Sequence, residues 1–212
     1  MIIWNTNKRI NEDIKSNLIR IVKDSYNKKG EFYTSFYNDK ATDKLNNLLN
    51  IFYDPLIKRM MMDLGMWKRS TYNYSCWTQM YNSETTTHNQ HEHFSGNEII
   101  SFSHIIDASK EKCFYFLNDY GDKTYPSNQQ SGDFFAWPSW LIHGVDKVKE
   151  PNTNRLIVAG NIMLKTFQSP NENQGNLVCD TKCDSERRSI IWSIEQNKKS
   201  YKPFDYIKYG LS

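Results

Sequence analysis

Short runs of aromatic and β-branched residues follow one another from about Tyr72 to Leu164, and polar residues, glycine or proline separate them. The runs read TYNYSCWTQMY, EIISFSHII, KCFYFL, DFFAWP and RLIVAGNIML. Runs of this length and composition are typical of β-strands, and the residues between them are typical of turns. Several such strands within about ninety residues predict a β-sandwich or a β-barrel.

The last of these runs has two unlike faces, because side chains alternate across a β-strand. One face is wholly apolar and holds Leu156, Val158, Gly160, Ile162 and Leu164. The other face is polar at Arg155 and Asn161 and apolar at the positions between them. We expect the apolar face to pack against helices, and the face with Arg155 and Asn161 to line a cavity.

Two stretches in the first third of the chain have the spacing of amphipathic helices. INEDIKSNLIRIVKDSY places apolar residues three and four positions apart, and ATDKLNNLLNIFYDPLIKRMMMDLGM does the same. We expect the second helix to be interrupted near Pro55 and to end near Gly65, and its run of three methionines to fill the core. Helices first and strands later predict an α+β fold whose helices pack on one sheet.

Charge and hydropathy exclude several classes of partner. The 27 basic and 24 acidic residues leave a net charge of +3, and no basic stripe dominates, so we expect no nucleic-acid partner. No apolar run approaches the roughly 18 residues of a membrane-spanning helix, and the apolar start, Met1 to Trp4, is too short for a secretory signal. Four scattered cysteines without such a signal predict a reduced, cytoplasmic protein.

The stretch THNQHEHFSG holds three of the five histidines of the chain within six residues. In an extended segment His91 and His93 leave the same face, with Glu92 on the opposite one, so the two imidazoles can occupy neighbouring positions on one metal ion. His143, between Ile142 and Gly144, would by itself be interpreted as a core histidine with a hydrogen-bond partner. Together with the upstream pair it predicts a site with three histidine ligands.

These residues resemble the Fe(II)/2-oxoglutarate-dependent oxygenases, which carry H-x-D/E…H on a double-stranded β-helix, followed by an arginine or lysine. The most similar subgroup has H-x-H…SG and then G-D…(F/W)-P-S-W-x-x-H-x-V…R. This chain supplies, in order, His91, His93, Ser95-Gly96, Gly132-Asp133, Trp137-Pro138-Ser139-Trp140, His143, Val145 and Arg155. The resemblance covers roughly residues 72–165 and implies a jelly-roll, cupin-like core.

We predict a single catalytic domain over residues 1–166; the helical region before residue 72 is compatible with the resemblance, and the segment after residue 165 is not matched by it. Within this domain, residues 1–70 would form a helical support and residues 71–166 the double-stranded β-helix core. Residues 167–212 would form a C-terminal extension packed on or beside the core. Within that extension, QSPNENQGN is typical of a surface loop and ERRSIIWSIEQNKK of a short helix, and we expect Cys179 and Cys183 to be free thiols rather than half of a zinc site.

The resemblance also implies the cofactors and the residues that bind them. Fe(II), 2-oxoglutarate and O₂ would meet at His91, His93 and His143, because three protein ligands leave three positions on the metal. Arg155 would pair with the distal carboxylate of the cosubstrate. Tyr81 stands where related prolyl-hydroxylase-like enzymes often place a cosubstrate-binding tyrosine, and Asn161 shares the cavity face of Arg155.

One position departs from the usual oxygenase pattern, since His93 stands where a carboxylate is expected. The loss of one negative charge predicts weaker metal binding and a change in the electronics of the oxidant. The same residues also resemble the cupins, which would use the three histidines together with Glu98 and would not depend on 2-oxoglutarate. The cupin pattern expects glycine at Trp140 and does not require Arg155, so we favour the oxygenase reading and keep the cupin as the alternative.

The substrate is the least determined feature of the sequence. The segments 82–90 and 118–131 are polar without being basic, and we expect them to line the mouth of the barrel. They predict a polar small molecule or a protein side chain as substrate, rather than a lipid or duplex DNA. We place Trp140 near the iron and His88 in a loop where it could touch substrate, and we expect His104 to be a core histidine.

Overall fold

The computed structural model describes residues 1–27, 32–66, 70–85, 87–94, 97–167 and 177–178. Ser95-Gly96 of the quoted motif lies outside the described residues. So do the predicted C-terminal loop, the predicted C-terminal helix and the pair Cys179 and Cys183. The division into a domain and an extension therefore stays a prediction.

Two helices and twelve strands make up the described chain. Their order is β1 (Trp4–Asn7), α1 (Glu12–Lys23), β2 (Tyr26–Asn27), β3 (Tyr33–Thr34), α2 (Asp39–Asp63), β4 (Ser70–Tyr81), β5 (His88–His91), β6 (Glu98–Asp107), β7 (Phe114–Leu117), β8 (Lys123–Thr124), β9 (Asp133–Pro138), β10 (His143–Val145), β11 (Arg155–Phe167) and β12 (Leu177–Val178). All five aromatic and β-branched runs contain strands, as predicted: they are β4, β6, β7, β9 and β11.

The strands form two antiparallel sheets. The large sheet has the order β1-β9-β6-β11-β4-β3-β2, and β12 pairs with β11. The small sheet has the order β5-β10-β7-β8. Side chains from both sheets enclose one cavity, so the two sheets face each other as in a double-stranded β-helix. The predicted α+β class and jelly-roll core are confirmed.

The helices cover the outer face of the large sheet, and the alternation along β11 explains why. Its apolar side chains share one buried cluster with residues of both helices. That cluster includes Leu18 and Val22 of α1, Leu49 and Ile57 of α2, and Leu156, Val158, Ile162 and Leu164 of β11. The opposite face of β11, with Arg155, Ile157 and Ala159, turns toward the small sheet and the cavity.

Helix α2 does not break at Pro55, which corrects the predicted interruption. Proline removes one hydrogen bond to the carbonyl four residues earlier, that of Ile51. The Ile51 side chain is 87% exposed, so this side of the helix faces solvent and water can bond the released carbonyl. The helix ends as predicted, because Gly65 has φ +72° and the amide of Met66 donates to the Met61 carbonyl at 2.8 Å, as in a Schellman motif.

The N-terminal region also contains strands, whereas the sequence predicted only helices before residue 70. Strand β1 forms one edge of the large sheet, with Trp4 opposite Ala136 and Asn7 opposite Asp133 of β9. Strands β2 and β3 have only two residues each and extend the other edge through β4. Such short strands carry too few residues for a two-residue periodicity, and β1 and β3 pair with strands far along the chain.

His104 is a core histidine, as predicted. It is fully buried on β6, and its Nδ1 lies 2.7 Å from the Tyr53 hydroxyl while its Nε2 lies 2.7 Å from the Lys8 carbonyl. Met60 and Met61 fill the core as expected, but Met62 is exposed. Within the described part of the chain, no helix is both long enough and apolar enough to cross a membrane.

Candidate metal centre

Three histidines meet at the edge where β5 pairs with β10. His91 lies directly opposite His143 in the small sheet, and their ring centroids are 4.4 Å apart. His93 follows the end of β5, and its backbone N–H donates to the Ser139 carbonyl at 2.9 Å. Its ring centroid is 4.9 Å from that of His91 and 5.0 Å from that of His143. One nitrogen from each ring falls within 4.8 Å of the others, close enough to bind one metal ion.

The backbone orients two of these rings. The Nδ1 atom of His91 is 2.7 Å from the Asn89 carbonyl, and that of His143 is 2.9 Å from the Leu141 carbonyl. A carbonyl oxygen only accepts, so each Nδ1 carries the proton and donates it, and each Nε2 presents its lone pair. Histidines that bind metals are commonly held in this way. The local backbone therefore prepares both imidazoles to be ligands.

Burial keeps the imidazoles of His93 and His143 in the neutral form that a metal requires. It lowers the pKa of His93 to about 4, and repulsion from His91 contributes to the shift. Burial and the charges of His91 and His93 lower the pKa of His143 well below its ordinary value. Neither ring has to lose a proton at neutral pH before it binds a metal.

A narrow cavity extends from the histidines between the two sheets. The small sheet contributes the imidazoles together with Phe114 and Val145, and the large sheet contributes Gln79, Tyr81, Ser103, Trp137 and Ile157. The cavity has a volume of about 30 Å³, enough for roughly two water molecules. Most of the positions from the large sheet alternate along β4, β6 and β11, so the two-residue period was the signal that could have found them.

Arg155 is a buried cation without a counter-ion among the described residues. It lies at the start of β11, opposite Tyr81 of β4, and only 1% of its surface is exposed. Its guanidinium carbon is 5.7 Å from the centre of the Tyr81 ring. Within the described residues neither terminal nitrogen, Nη1 or Nη2, has a hydrogen-bond partner. Burial lowers the pKa of the guanidinium, but arginine stays protonated in proteins, so the site is suited to a bound anion.

Tyr81 connects Arg155 to the cavity. Arg155 itself does not border the cavity, whereas the ring of Tyr81 does. The Tyr81 hydroxyl donates to Gln79 Oε1 at 2.9 Å, and it lies 2.9 Å from His88 Nδ1. Burial raises the pKa of this tyrosine, which stays a neutral phenol. The predicted cosubstrate pair of Arg155 and Tyr81 is thus brought together in space.

His88 lies in strand β5 and not in a loop, which corrects the prediction. It pairs with Val145 of β10, and its ring stacks on that of His91 at 4.3 Å and on that of Phe32 at 4.1 Å. The strand reads HNQH and lacks β-branched residues, so sequence alone gives no β signal here. Its pairing with β10 supplies the stability that its composition lacks.

Other predicted site residues lie outside the cavity. The side-chain oxygen of Asn161 accepts from Ser101 Oγ at 2.9 Å, so this residue holds β6 and β11 together. Trp140 is 48% exposed and packs edge-on against Phe94, beside the metal centre but not in its cavity. Residues 118–131, all described, contribute nothing to the cavity wall. Gln129 instead binds this segment to β7, because its Oε1 accepts from Phe114 N at 2.9 Å.

The cupin alternative loses its fourth ligand. Among the described residues, the group of side chains close enough to share a metal contains His91, His93 and His143 but not Glu98. Glu98 lies at the start of β6, opposite Met163, and does not border the cavity. Among the described residues, the site therefore offers three histidines as candidate ligands and no carboxylate.

Solved structures with a similar fold are oxygenases. The carbocyclase SnoK from nogalamycin biosynthesis, described as non-heme and alpha-ketoglutarate-dependent, matches with a TM-score of 0.58, 11% identity and coverage of 81% of this chain and 84% of its own. The epimerase SnoN from the same biosynthesis matches with a TM-score of 0.57 and 9% identity, over 81% of this chain and 85% of its own. A 2OG-Fe(II) oxygenase family protein from Burkholderia pseudomallei matches with a TM-score of 0.51 and 12% identity, over 70% of this chain and 76% of its own. No sequence-family model and no curated protein sequence matches the chain. The chain thus has the double-stranded β-helix fold of these oxygenases.

Proposed function

We propose that this protein is a non-haem Fe(II)- and 2-oxoglutarate-dependent dioxygenase that oxidises, and in particular hydroxylates, its substrate with release of succinate and CO₂. One observation carries the proposal. Three histidines that could hold a metal ion, and a buried arginine with no counter-ion in the described part of the chain, lie on the two sheets that enclose one cavity. The fold supports it, since a structure of SnoN, which matches with a TM-score of 0.55, contains Fe³⁺ and alpha-ketoglutarate.

In this proposal His91, His93 and His143 hold the iron. The Nε2 atoms of His91 and His143 would bind it, because their Nδ1 atoms are engaged with backbone carbonyls. Three protein ligands leave positions for the cosubstrate and for O₂. Iron with 2-oxoglutarate supplies the oxidising chemistry when both are bound, while the chain orients its ligands and excludes water with the aromatic wall of the cavity.

Arg155 would bind the distal carboxylate of 2-oxoglutarate. A planar guanidinium can pair with a carboxylate through two parallel hydrogen bonds, which would satisfy both of its unpartnered nitrogens. The cavity of about 30 Å³ is too small for the cosubstrate, and Tyr81 borders it where Arg155 does not. We therefore expect the Tyr81 ring to move when 2-oxoglutarate binds, with its hydroxyl then available to the same carboxylate.

The third histidine alters the charge of the centre. Three imidazoles are neutral ligands, so a bound Fe²⁺ keeps its full double charge until the dianionic cosubstrate arrives. In sites with a carboxylate ligand the protein itself supplies part of that compensation. We expect this protein to hold iron more weakly in the absence of 2-oxoglutarate, and more tightly in its presence.

We propose a polar small molecule or a protein side chain as substrate. The polar segment 82–90 leads into β5 and carries His88 into the cavity wall. Exposed aromatic rings lie near His93. Phe36 contacts Trp77 at 5.1 Å, and the Trp77 ring is 5.7 Å from that of His93. Trp140 contacts Phe94, the residue after His93, at 5.9 Å. A substrate with an apolar ring or chain beside its polar groups would suit this mixed entrance. We also propose that the protein is cytoplasmic.

The test measures cosubstrate binding before activity. Calorimetric titration of 2-oxoglutarate into anaerobically iron-loaded protein should show one site, and the loaded protein should convert 2-oxoglutarate slowly to succinate. Amino acids, peptides, nucleosides and sugars are then screened for those that accelerate succinate release. Absence of 2-oxoglutarate binding to iron-loaded wild type would contradict the proposal. Acceleration by oligonucleotides or by long-chain lipids alone would contradict the substrate class.

A further inference from the structure

Two buried hydrogen-bond donors in the cavity have no partner among the residues that the structure describes. They are Trp137 Nε1 on β9 and Ser103 Oγ on β6. Trp137 is 2% exposed and Ser103 is 1% exposed. Both residues border the cavity. Buried polar atoms are nearly always paired in folded proteins, and an indole N–H can only donate. Both atoms lack a partner among the described residues, so the structure does not explain why they are polar.

Neighbouring polar groups of the same cavity are paired within the protein. The Gln79 side chain accepts from Tyr81, and Ser101 Oγ donates to Asn161 Oδ1 at 2.9 Å and lies 3.1 Å from the Ser139 hydroxyl. Ser101 and Ser103 lie two positions apart on the same face of β6, yet only Ser101 is engaged. The two unpartnered donors are thus a local exception, and they are not a general property of the cavity.

The charge of the cavity indicates what would pair with these donors. The metal ligands are neutral imidazoles, Arg155 is a cation, and no aspartate or glutamate of the described chain borders the cavity. A ligand that suits such surroundings carries negative charge and acceptor oxygens. A dicarboxylate has acceptors at both of its ends, whereas Arg155 can satisfy only one of them.

Trp137 is held beside the metal centre. Its ring centroid lies 5.0 Å from that of His143, at an interplanar angle of 69°. Contacts with Phe114 at 5.2 Å and with Phe135 at 5.6 Å fix the orientation of the indole. Ser103 pairs with Phe135 on one side and with Ala159 on the other, in the middle of the large sheet. Both donors therefore lie on rigid strands, as precise positioning of a ligand requires.

We propose that Trp137 and Ser103 are cosubstrate-binding residues, whose donors hold the end of the dicarboxylate that lies at the metal. Arg155 would hold the opposite end. This inference rests on the proposed function, because it takes 2-oxoglutarate as the ligand. It adds two residues that complete the hydrogen bonding of the bound cosubstrate, and it explains why these two polar groups, unlike Gln79 and Ser101, have no partner within the described protein.

The test compares matched pairs of variants. Trp137→Phe and Ser103→Ala each remove one unpartnered donor, while Trp77→Phe and Ser101→Ala change the same residue types in the same cavity wall. The measurement is calorimetric titration of 2-oxoglutarate into Zn(II)-loaded protein, which needs no turnover. Loss of a hydrogen bond to a charged group should weaken 2-oxoglutarate binding by about tenfold or more in the first pair. The second pair should stay within about threefold of wild type, and all four should bind one zinc.

A second measurement removes dependence on the folding of Trp137→Phe. In Zn(II)-loaded wild type labelled with ¹⁵N-indole tryptophan, the N–H signal of Trp137 can be assigned through its contact with Phe114. Addition of 2-oxoglutarate should move this signal downfield and leave that of Trp77 nearly unchanged. An unmoved Trp137 signal, or affinities within threefold of wild type for both donor variants, would overturn the inference. Failure of wild type to bind 2-oxoglutarate at all would instead overturn the proposed function.

Discussion

Replacing Arg155 with methionine should stabilise the protein and abolish cosubstrate binding at the same time. Arg155→Met removes a fully buried cation whose two terminal nitrogens lack partners. Each buried unpaired group costs about 1–3 kcal/mol, or roughly 4 kcal/mol for the pair. The contact of the guanidinium with the Tyr81 ring at 5.7 Å offsets about 1–2 kcal/mol of that cost. Methionine keeps the apolar stem of the side chain and has a similar volume, so a gain of about 2 kcal/mol remains.

Thermal unfolding is the assay, and the ligand response is its second arm. A gain of about 2 kcal/mol should raise the Tm of the metal-free, ligand-free protein by about 4–8 °C for a chain of this length. Zinc-loaded wild type with 2-oxoglutarate at a hundred times its Kd should gain about 2.7 kcal/mol of further stability. The variant should show no such gain, because the cation beside Tyr81 that would pair with the distal carboxylate has been removed.

Arg155→Lys is the matched control. It keeps the buried charge but lacks the planar fork, so its Tm should not rise, and it should retain only part of the response to 2-oxoglutarate. Arg155→Met that unfolds several degrees below wild type would show that the guanidinium is satisfied in the folded protein. A full 2-oxoglutarate response in Arg155→Met would show that the cosubstrate binds elsewhere.

Three other perturbations test the metal centre, the core and the sheet. His143→Ala should reduce bound Fe(II) or Zn(II) from one equivalent to nearly none by metal analysis, whereas His88→Ala should retain about one; equal stoichiometry in both would refute the ligand assignment. Because burial lowers the pKa of His104 to about 4, its folded form resists protonation. The free energy of unfolding should therefore fall as the pH drops from about 6.5 toward 4, by about 3 kcal/mol from this residue alone. Denaturant titrations of His104→Gln should show a free energy of unfolding that depends less steeply on pH than that of wild type. An unchanged pH dependence would show that protonation of His104 is not its cause. Gly160→Ala should lower the free energy of unfolding by about 2–3 kcal/mol or more, since the new methyl group would overlap the Ser75 carbonyl across the strand pair; a variant as stable as wild type in urea would show that β4 can yield.

The charge of the centre separates this protein from oxygenases with a carboxylate ligand. His93 occupies the position where the resembled family places aspartate or glutamate, and no carboxylate of the described chain replaces it. Glu92 points away, since its carboxylate accepts from the Phe94 amide. Metal affinity should therefore depend on the dianionic cosubstrate more than in a site that carries its own negative charge.

Local patterns in the sequence determined much of the fold. The alternation along RLIVAGNIML predicted that one face of β11 would meet the helices and the other the cavity, because every second side chain of a strand shares a face. The helical spacing around Leu18 and Leu49 predicted α1 and α2 for the same kind of reason. The spacing of His91, His93 and His143, together with its resemblance to known motifs, predicted the group of three ligands. Each of these signals depends on residues close together in the chain or on a motif of defined spacing.

Only the tertiary structure decided which polar groups are paired and which strands join across the chain. Strand β1 pairs with β9 about 130 residues later, and HNQH becomes a strand because β10 lies beside it. Helix α2 continues through Pro55 because water can bond the released Ile51 carbonyl on the exposed side of the helix, while the opposite side packs in the core. Ser101 and Ser103 are identical residues two positions apart, yet Asn161 satisfies the first and nothing described satisfies the second. Hydrogen-bond satisfaction depends on neighbours in space, and a linear sequence does not state which residues those are.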